Sequence, residues 1–218
     1  MVADVRHPQL DSDDHHHLAR VLRLRDGDEI VVCDGQGSWR RACWSGTPTP
    51  EAIEDVVVED RPNPRLTVAF APTKGDRPEW VVQKLTELGV DRVIPVMTAR
   101  SVVRWDTTRA QRQVERWRRI AREAACQSRQ VFLPVIEPVT DLARLVRVEP
   151  VRMAEPGAPL PVADVVPVVV GPEGGFTPEE LGWAAGTVGL AGGVLRTETA
   201  AVAVGVLMAA DRMRRNHP

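Results

Sequence analysis

Val168-Val169-Val170-Gly171-Pro172-Glu173-Gly174-Gly175-Phe176-Thr177-Pro178-Glu179-Glu180 is the stretch on which the fold class turns. A run of valines reads as a buried strand, and it enters a tight turn rich in glycine. A helix follows, with Thr177 as its N-cap, Pro178 at the first helical position and Glu180 at the third, which together form a capping box. Gly174 and Gly175 carry no Cβ, so the backbone there can approach a ligand closely. The segment is not a Walker loop, because it lacks the Lys-Ser/Thr pair, and it lacks the G-x-G-x-x-G spacing of a dinucleotide fingerprint. The plain alternative is an ordinary strand-to-helix turn.

Outward from this stretch, strand and helix alternate. Strand-like runs occupy residues 66–71, 92–96, 151–154, 165–170 and 193–195. Helical patterns occupy 78–88, 107–126, 140–146, 178–188 and 198–215. Such alternation predicts an α/β domain over 66–218 with a mostly parallel sheet covered on both faces. Ligands in such sheets bind at the carboxyl ends of the strands. Residues 155–164, rich in Pro, Gly and Ala, read as a loop.

Residues 1–65 differ in texture. Asp26-Gly27-Asp28 and Asp34-Gly35-Gln36-Gly37 flank Glu29-Ile30-Val31-Val32-Cys33, a pattern of short antiparallel strands and hairpins that predicts a small β-barrel. One helix over 13–22, capped by Ser12 or Asp13, interrupts it. Arg61-Pro62-Asn63-Pro64 reads as the linker.

The chain has 218 residues, 43% hydrophobic and 27% charged, the balance of an ordinary globular protein. No apolar run has the length of a membrane span and Met1 to Leu10 has no signal-peptide layout, so the expectation is a cytoplasmic protein with no membrane partner. Cys33, Cys43 and Cys126 form no CxxC pair and read as buried small hydrophobes. His15-His16-His17 point in different directions on a helix, so no shared metal is expected. A net charge of −2 argues against nonspecific polyanion binding, but nine arginines lie between Arg100 and Arg129 against only Asp106, Glu115 and Glu123. In the helix after Asp106, Val114, Trp117, Ala121 and Ala124 make an apolar stripe, while Arg109, Arg112, Arg116 and Arg119 line the other face. That face is either simply solvated or a track for RNA phosphates.

Two further motifs carry chemistry. Leu195-Arg196-Thr197-Glu198-Thr199-Ala200-Ala201 places polar groups where a strand ends and a helix begins, and the apolar helix that follows should be buried over most of its surface. With the glycine turn it would make a pocket. Thr73-Lys74-Gly75-Asp76-Arg77 precedes a helix in which Lys84 and Glu87 share a face, at the spacing of a simple i,i+3 ion pair.

Taken in order, His16-His17-Leu18-Ala19-Arg20-Val21-Leu22-Arg23-Leu24-Arg25, Lys84-Leu85-Thr86-Glu87-Leu88-Gly89, Arg100-Ser101-Val102-Val103, Gln127-Ser128, the glycine turn and Leu195–Ala200 resemble the RsmE family, the bacterial 16S ribosomal RNA (uracil-N3) methyltransferases. The sequence departs from that family's usual pattern at Cys126, Arg129-Gln130, Ala191-Gly192-Gly193 and Ala99.

The resemblance implies a PUA-like β-barrel over 1–65 and a SPOUT domain with a trefoil knot over 66–218. It implies S-adenosylmethionine, held by Gly171, Pro172, Glu173, Gly174 and Gly175 with Leu195, Arg196, Thr197, Thr199 and Ala200. It also implies a homodimer acting on 16S ribosomal RNA in the small ribosomal subunit. Candidate RNA contacts are His16, Arg20, Arg23, Arg25, Lys74, Lys84, Arg100, Arg112 and Arg116. The N3 imide proton of uracil must be removed, for which Glu198 is the first candidate base and Glu173 the second. Arg196 or Arg129 would stabilise negative charge on the uracil carbonyls. Two other readings stand beside this one: a noncatalytic RNA-binding or ribosome-assembly factor, and a SPOUT methyltransferase acting on transfer RNA.

Overall fold

The computed structural model describes residues 1–159 and 166–216, and these divide into two compact units. The first comprises Met1–Pro62 together with Ala125–Leu133. Its helix α1 spans Ser12–His16 and runs into a π-helical turn, His17–Val21. The N-cap is Asp11, whose carboxylate accepts from the Asp14 amide at 2.7 Å, one position earlier than the sequence suggests. Strands β1 (Glu29–Cys33), β2 (Ser38–Cys43), β3 (Glu51–Ala52) and β4 (Val57–Val58) form an antiparallel sheet around β2. Asp34 closes the β1–β2 hairpin by accepting from the amides of Gln36 and Ser38. Val2, Val5, Leu10, Val32 and Trp44 form this unit's core.

The 125–133 segment, which sequence pattern assigns to the second domain, packs here. Phe132 and Leu133 sit where a Cβ at Gly37 or Gly35 would clash, at 2.5 and 2.9 Å. The cysteines depart from expectation too. Cys33 and Cys43 are half-buried and Cys126 is exposed, because 126 falls near the end of a long helix rather than in a core.

The second unit, Asn63–Ala124 with the chain from Pro134 onward, holds a seven-stranded sheet. The elements in order are β5 (Thr67–Phe70), α2 (Arg77–Glu87), β6 (Arg92–Met97), α3 (Thr107–Gln127), β7 (Val135–Ile136), β8 (Thr140–Asp141), α4 (Leu142–Val148), β9 (Arg152–Ala154), β10 (Val168–Val170), α5 (Pro178–Gly182), β11 (Gly186–Val188) and α6 (Thr197–Asn216). Strand order is β11-β9-β10-β5-β6-β7, with β8 also on β6, and every pairing is parallel. Strands β5 and β10 are buried along their whole length and successive residues face opposite sides, so both faces are covered. Val68, Phe70, Val168 and Val170 face a core with Val81, Leu85, Trp117 and Val204, while Ala69 and Val169 face one with Ile94, Leu142, Met153 and Phe176.

Three local expectations fail for identifiable reasons. The helix expected over 178–188 stops at Gly182, and Gly186-Thr187-Val188 pairs in register with Arg152-Met153-Ala154. The strand expected over 193–195 does not form: Gly192, Gly193 and Val194 lie on the surface with no sheet to join. The helix expected over 140–146 begins at Leu142, because Thr140-Asp141 pairs with β6. Part of the expected loop, residues 160–164, and the start of the expected strand at 165 lie outside the described residues.

Helix α6 also differs from expectation in burial. Thr197, Ala200, Ala201, Val204 and Gly205 are covered, but Val206 and Met213 are not. At Gly205 an added Cβ would lie 2.7 Å from Leu85, so glycine lets α6 sit close against α2. Farther along, Arg212 donates to the Asp91 carboxylate and the Gly89 carbonyl, both at 2.7 Å. The two helices thus lie side by side and start at the same edge of the sheet.

Candidate active site

Parallel strands bring their carboxyl ends to one edge, and β5 and β10 are neighbours, with Phe70 opposite Val170. The loop entering α2 and the glycine turn therefore emerge together. The turn itself is built as the sequence dictates. Thr177 accepts from the Glu180 amide at 3.1 Å and Glu180 accepts from the Thr177 amide at 2.8 Å, a complete capping box. Glu180 is almost fully buried and its second oxygen accepts from the Ala99 amide at 2.8 Å, which ties the turn to the loop after β6.

The two C-terminal motifs meet. Thr197, 4% exposed at the first turn of α6, donates its hydroxyl to the Gly171 carbonyl at 3.0 Å. Gly171 is tight, since an added Cβ would lie 3.0 Å from the Phe176 ring. Gly175 adopts φ +66, a conformation that only glycine takes without strain, and space is open around it. Gly174 behaves otherwise than its sequence suggests. A Cβ there would make ordinary contact with Arg100 at 3.4 Å, so the position has room for a small side chain. Pro172 is buried, Leu195 packs against the core, Thr199 is exposed and Ala200 is buried.

The candidate carboxylates are close to one cation. Glu198 is 15% exposed; its Oε1 lies 3.6 Å from Arg77 Nε, and its buried Oε2 has no hydrogen-bond partner. Glu173, 56% exposed, accepts from Arg77 Nη1 at 3.1 Å. Arg77 is thus a site residue that the motif around it displayed without revealing its role. Glu155, at the carboxyl end of β9, was also not anticipated; its amide donates to Val188, and burial pushes its carboxyl up.

The candidate cations divide. Arg196 is exposed at the start of α6, and Arg129 is exposed at φ +58 in the first unit, apart from the unit that holds Glu198. Arg100 holds the glycine turn, donating to the carbonyls of Gly174 and Phe176 at 2.9 and 3.1 Å. Lys84 binds both oxygens of Glu87 at 2.8 Å, and Arg116 pairs with Glu79 at 3.1 Å. Lys74, Arg112, His16, Arg20, Arg23 and Arg25 are exposed. In α3 the apolar stripe Val114, Trp117, Ala121 and Ala124 is buried. Among the described residues no group of His, Cys, Asp and Glu is gathered as a metal site, and no helix is long and apolar enough to cross a membrane. A separate concavity of about 520 Å³ is lined by Met97, Arg104, Asp141, Glu179 and Trp183 among others, and none of the candidate residues lines it.

A strand-end site of two polar turns sharing carboxylates suits group transfer to a ligand in the crevice, and comparison with known proteins agrees. Residues 60–209 match the RNA methyltransferase domain model, and residues 10–45 match the RNA methyltransferase PUA domain. The chain belongs to this RNA methyltransferase family. It is 33% identical over 212 residues to ribosomal RNA small subunit methyltransferase E of Bacillus subtilis, covering 85% of this chain and 82% of that one.

Among solved structures of the family's relatives, a probable rRNA-methyltransferase from Porphyromonas gingivalis superposes with a TM-score of 0.82 at 28% identity, covering 98% of both chains. A ribosomal RNA small subunit methyltransferase E from Neisseria gonorrhoeae, bound to S-adenosyl methionine, superposes with a TM-score of 0.79 at 27% identity, covering 93% of this chain and 90% of that one. The family match thus spans both units, with an α/β domain of mostly parallel sheet preceded by a PUA-like domain.

Proposed function

We propose that this methyltransferase transfers a methyl group from S-adenosylmethionine to N3 of a uridine in 16S ribosomal RNA of the assembled small subunit, acting in the cytoplasm as a homodimer. The observation that carries the reading is the junction of the two turns: Thr197 on Gly171, with Glu198 beside them bearing one buried, unpartnered oxygen. A buried polar atom without a partner is costly in a finished protein and marks a place where a ligand completes the bonding.

The residues fit the cofactor. The backbone of Gly171–Gly175 and Leu195–Ala200 would hold it, with Gly175 leaving open space and the free N–H groups at the start of α6 available to an acceptor. S-adenosylmethionine supplies a methyl carbon on a positively charged sulfur, which leaves as a neutral thioether. The chain's own tasks are then positioning and proton removal. Glu198 is the better placed base, because its free oxygen is buried whereas Glu173 is exposed. It takes the N3 proton, and Arg196, at the start of the same helix, offsets the negative charge left on the uracil carbonyls. The knotted crossing implied by the family resemblance is part of this proposal.

The dimer is supported by α6. Val206 and Met213 stand seven residues apart on one helix face, 46% and 66% exposed, and a second copy would cover them. A 24 kDa species in light scattering at micromolar concentration would refute it.

The activity is tested on small subunits and on protein-free 16S RNA, both from a strain lacking the modification. A methyl on N3 blocks the Watson–Crick edge, so reverse transcription stops one nucleotide before it. A stop with intact subunits supports the reading, and methyl transfer without a stop overturns the N3 assignment.

A further inference from the structure

Arg77 is the first residue of α2, at the positive end of the helix dipole, where a cation is disfavoured. Its surroundings account for its presence there. Two carboxylates from remote parts of the chain converge on one guanidinium: Glu173 on Nη1 at 3.1 Å, and Glu198 facing Nε at 3.6 Å. The second distance exceeds a hydrogen bond, so the pair is held by charge and leaves Glu198 its acceptor capacity. The contact to Glu173 joins half-exposed groups, and such pairs add little to folding stability.

We propose that Arg77 is a positioning residue that keeps Glu198 aimed into the site, with Glu173 anchoring the far end of the same guanidinium. The inference rests on the reading of Glu198 as the base. Among the described residues Oε2 of Glu198 has no hydrogen-bond partner, and Oε1 faces Arg77 Nε at 3.6 Å, beyond hydrogen-bond reach. Among the described residues the charge beside Oε1 is what favours one rotamer of this side chain over another, and Oε2 is left buried and unpartnered at the start of α6. Glu173 in turn fixes Arg77, whose planar fork can face two carboxylates at once. Lysine, a single point charge, can serve only one.

The test compares Arg77→Ala, Arg77→Lys and Glu198→Gln in the full-length protein, by steady-state methyl transfer to small subunits and by thermal unfolding. In Arg77→Ala, kcat falls about 30-fold or more, KM for S-adenosylmethionine stays within about threefold, and the melting temperature moves by no more than a few degrees. Arg77→Lys recovers at least about a third of the lost rate in logarithmic terms, because charge returns without the second anchor. Adding Arg77→Ala to Glu198→Gln costs nothing further, since the group being positioned is gone.

A raised KM with unchanged kcat would show that Arg77 acts through Glu173 on the cofactor turn, and would overturn the proposal. So would full additivity with Glu198→Gln. If Glu198→Gln alone keeps the wild-type rate, it is the assignment of the base that fails. If Glu198→Gln is inactive while Arg77→Ala is not impaired, the positioning role fails and the base assignment stands.

Discussion

The crevice at the strand ends and the arginine face of α3 handle charge in opposite ways. Around the glycine turn three charged side chains are bound to something: Arg100 to two carbonyls, Glu180 to the Ala99 amide and its own cap, and Arg77 to Glu173. On α3, Arg109, Arg112 and Arg119 are exposed and have no ion pair among the described residues. The first region is preorganised, as a site must be when its task is to hold two reactants at one geometry. The second keeps its guanidinium groups hydrated, so each can be given to a phosphate without first breaking an internal bond. Substitutions should therefore read out as rate and cofactor affinity in the crevice, and as salt-dependent RNA affinity on the helix.

The largest effect is expected at Glu198. Glu198→Gln keeps the shape but cannot take a proton, and general-base removal costs about 10²- to 10⁴-fold in rate. Single-turnover transfer measures this, while calorimetry with S-adenosylmethionine should show affinity within about threefold of wild type. Loss of cofactor binding with no separate loss of rate would move Glu198 from proton transfer to cofactor recognition.

Next comes the buried pair that fixes the far ends of α2 and α6. Arg212 and Asp91 are 12% and 5% exposed, and Asp91 also accepts from the Leu66 amide at 2.9 Å. Arg212→Ala removes a buried ion-pair contact from Asp91, a loss of up to about 3–5 kcal/mol. Urea titration should show it as a lowered midpoint with an unchanged slope. A shift below about 1 kcal/mol would mean that water replaces the arginine and that the two helices do not depend on this clamp for their alignment.

What the sequence made legible was local. Thr177 and Glu180 announce their capping box because both partners lie within one turn, and the α3 stripe is visible because burial follows the helical period. The pairing of the glycine turn with the Thr-Glu-Thr turn could be anticipated from two strand-to-helix junctions in one quarter of the chain. Contacts set by topology were not legible. Arg77 meets Glu173 across 96 residues, and only the adjacency of β5 and β10 brings them together. Strand β11 was concealed because three residues carry no period of their own, and it is a strand only by virtue of β9 beside it. Arg100 is a similar case: its guanidinium donates to the carbonyls of Gly174 and Phe176, far along the chain, and no local pattern displays that role.

A smaller effect separates the glycines of the turn. Gly175 sits at φ +66, and a β-branched residue forced there costs about 1–2 kcal/mol. Gly175→Val should weaken S-adenosylmethionine binding roughly 10-fold, by the usual 1.4 kcal/mol per decade. Gly174→Ala should stay within about threefold, because its Cβ meets Arg100 at an ordinary distance. Equal losses at both positions in calorimetry would show that the ligand approaches the backbone at 174 as well.

The smallest effect is expected on α3, where it distinguishes a phosphate track from a merely solvated face. Arg112 is exposed and unpaired among the described residues, whereas Arg116 is already neutralised in part by Glu79 at 3.1 Å. A phosphate contact releases condensed counterions, so each one adds about 0.7–0.9 to the slope of log affinity against log salt. Arg112→Ala should therefore flatten that slope by close to one contact. Arg116→Ala should flatten it less, because its guanidinium must leave Glu79 before it can serve a phosphate. Affinity for S-adenosylmethionine should be the same in both variants, since neither residue contacts the turns. Equal flattening would show that the Glu79 pair opens on RNA binding at no cost. An unchanged slope in both would return these arginines to the role of a hydrated surface, and the specificity for RNA would then rest on the first unit, where Arg20, Arg23 and Arg25 are exposed.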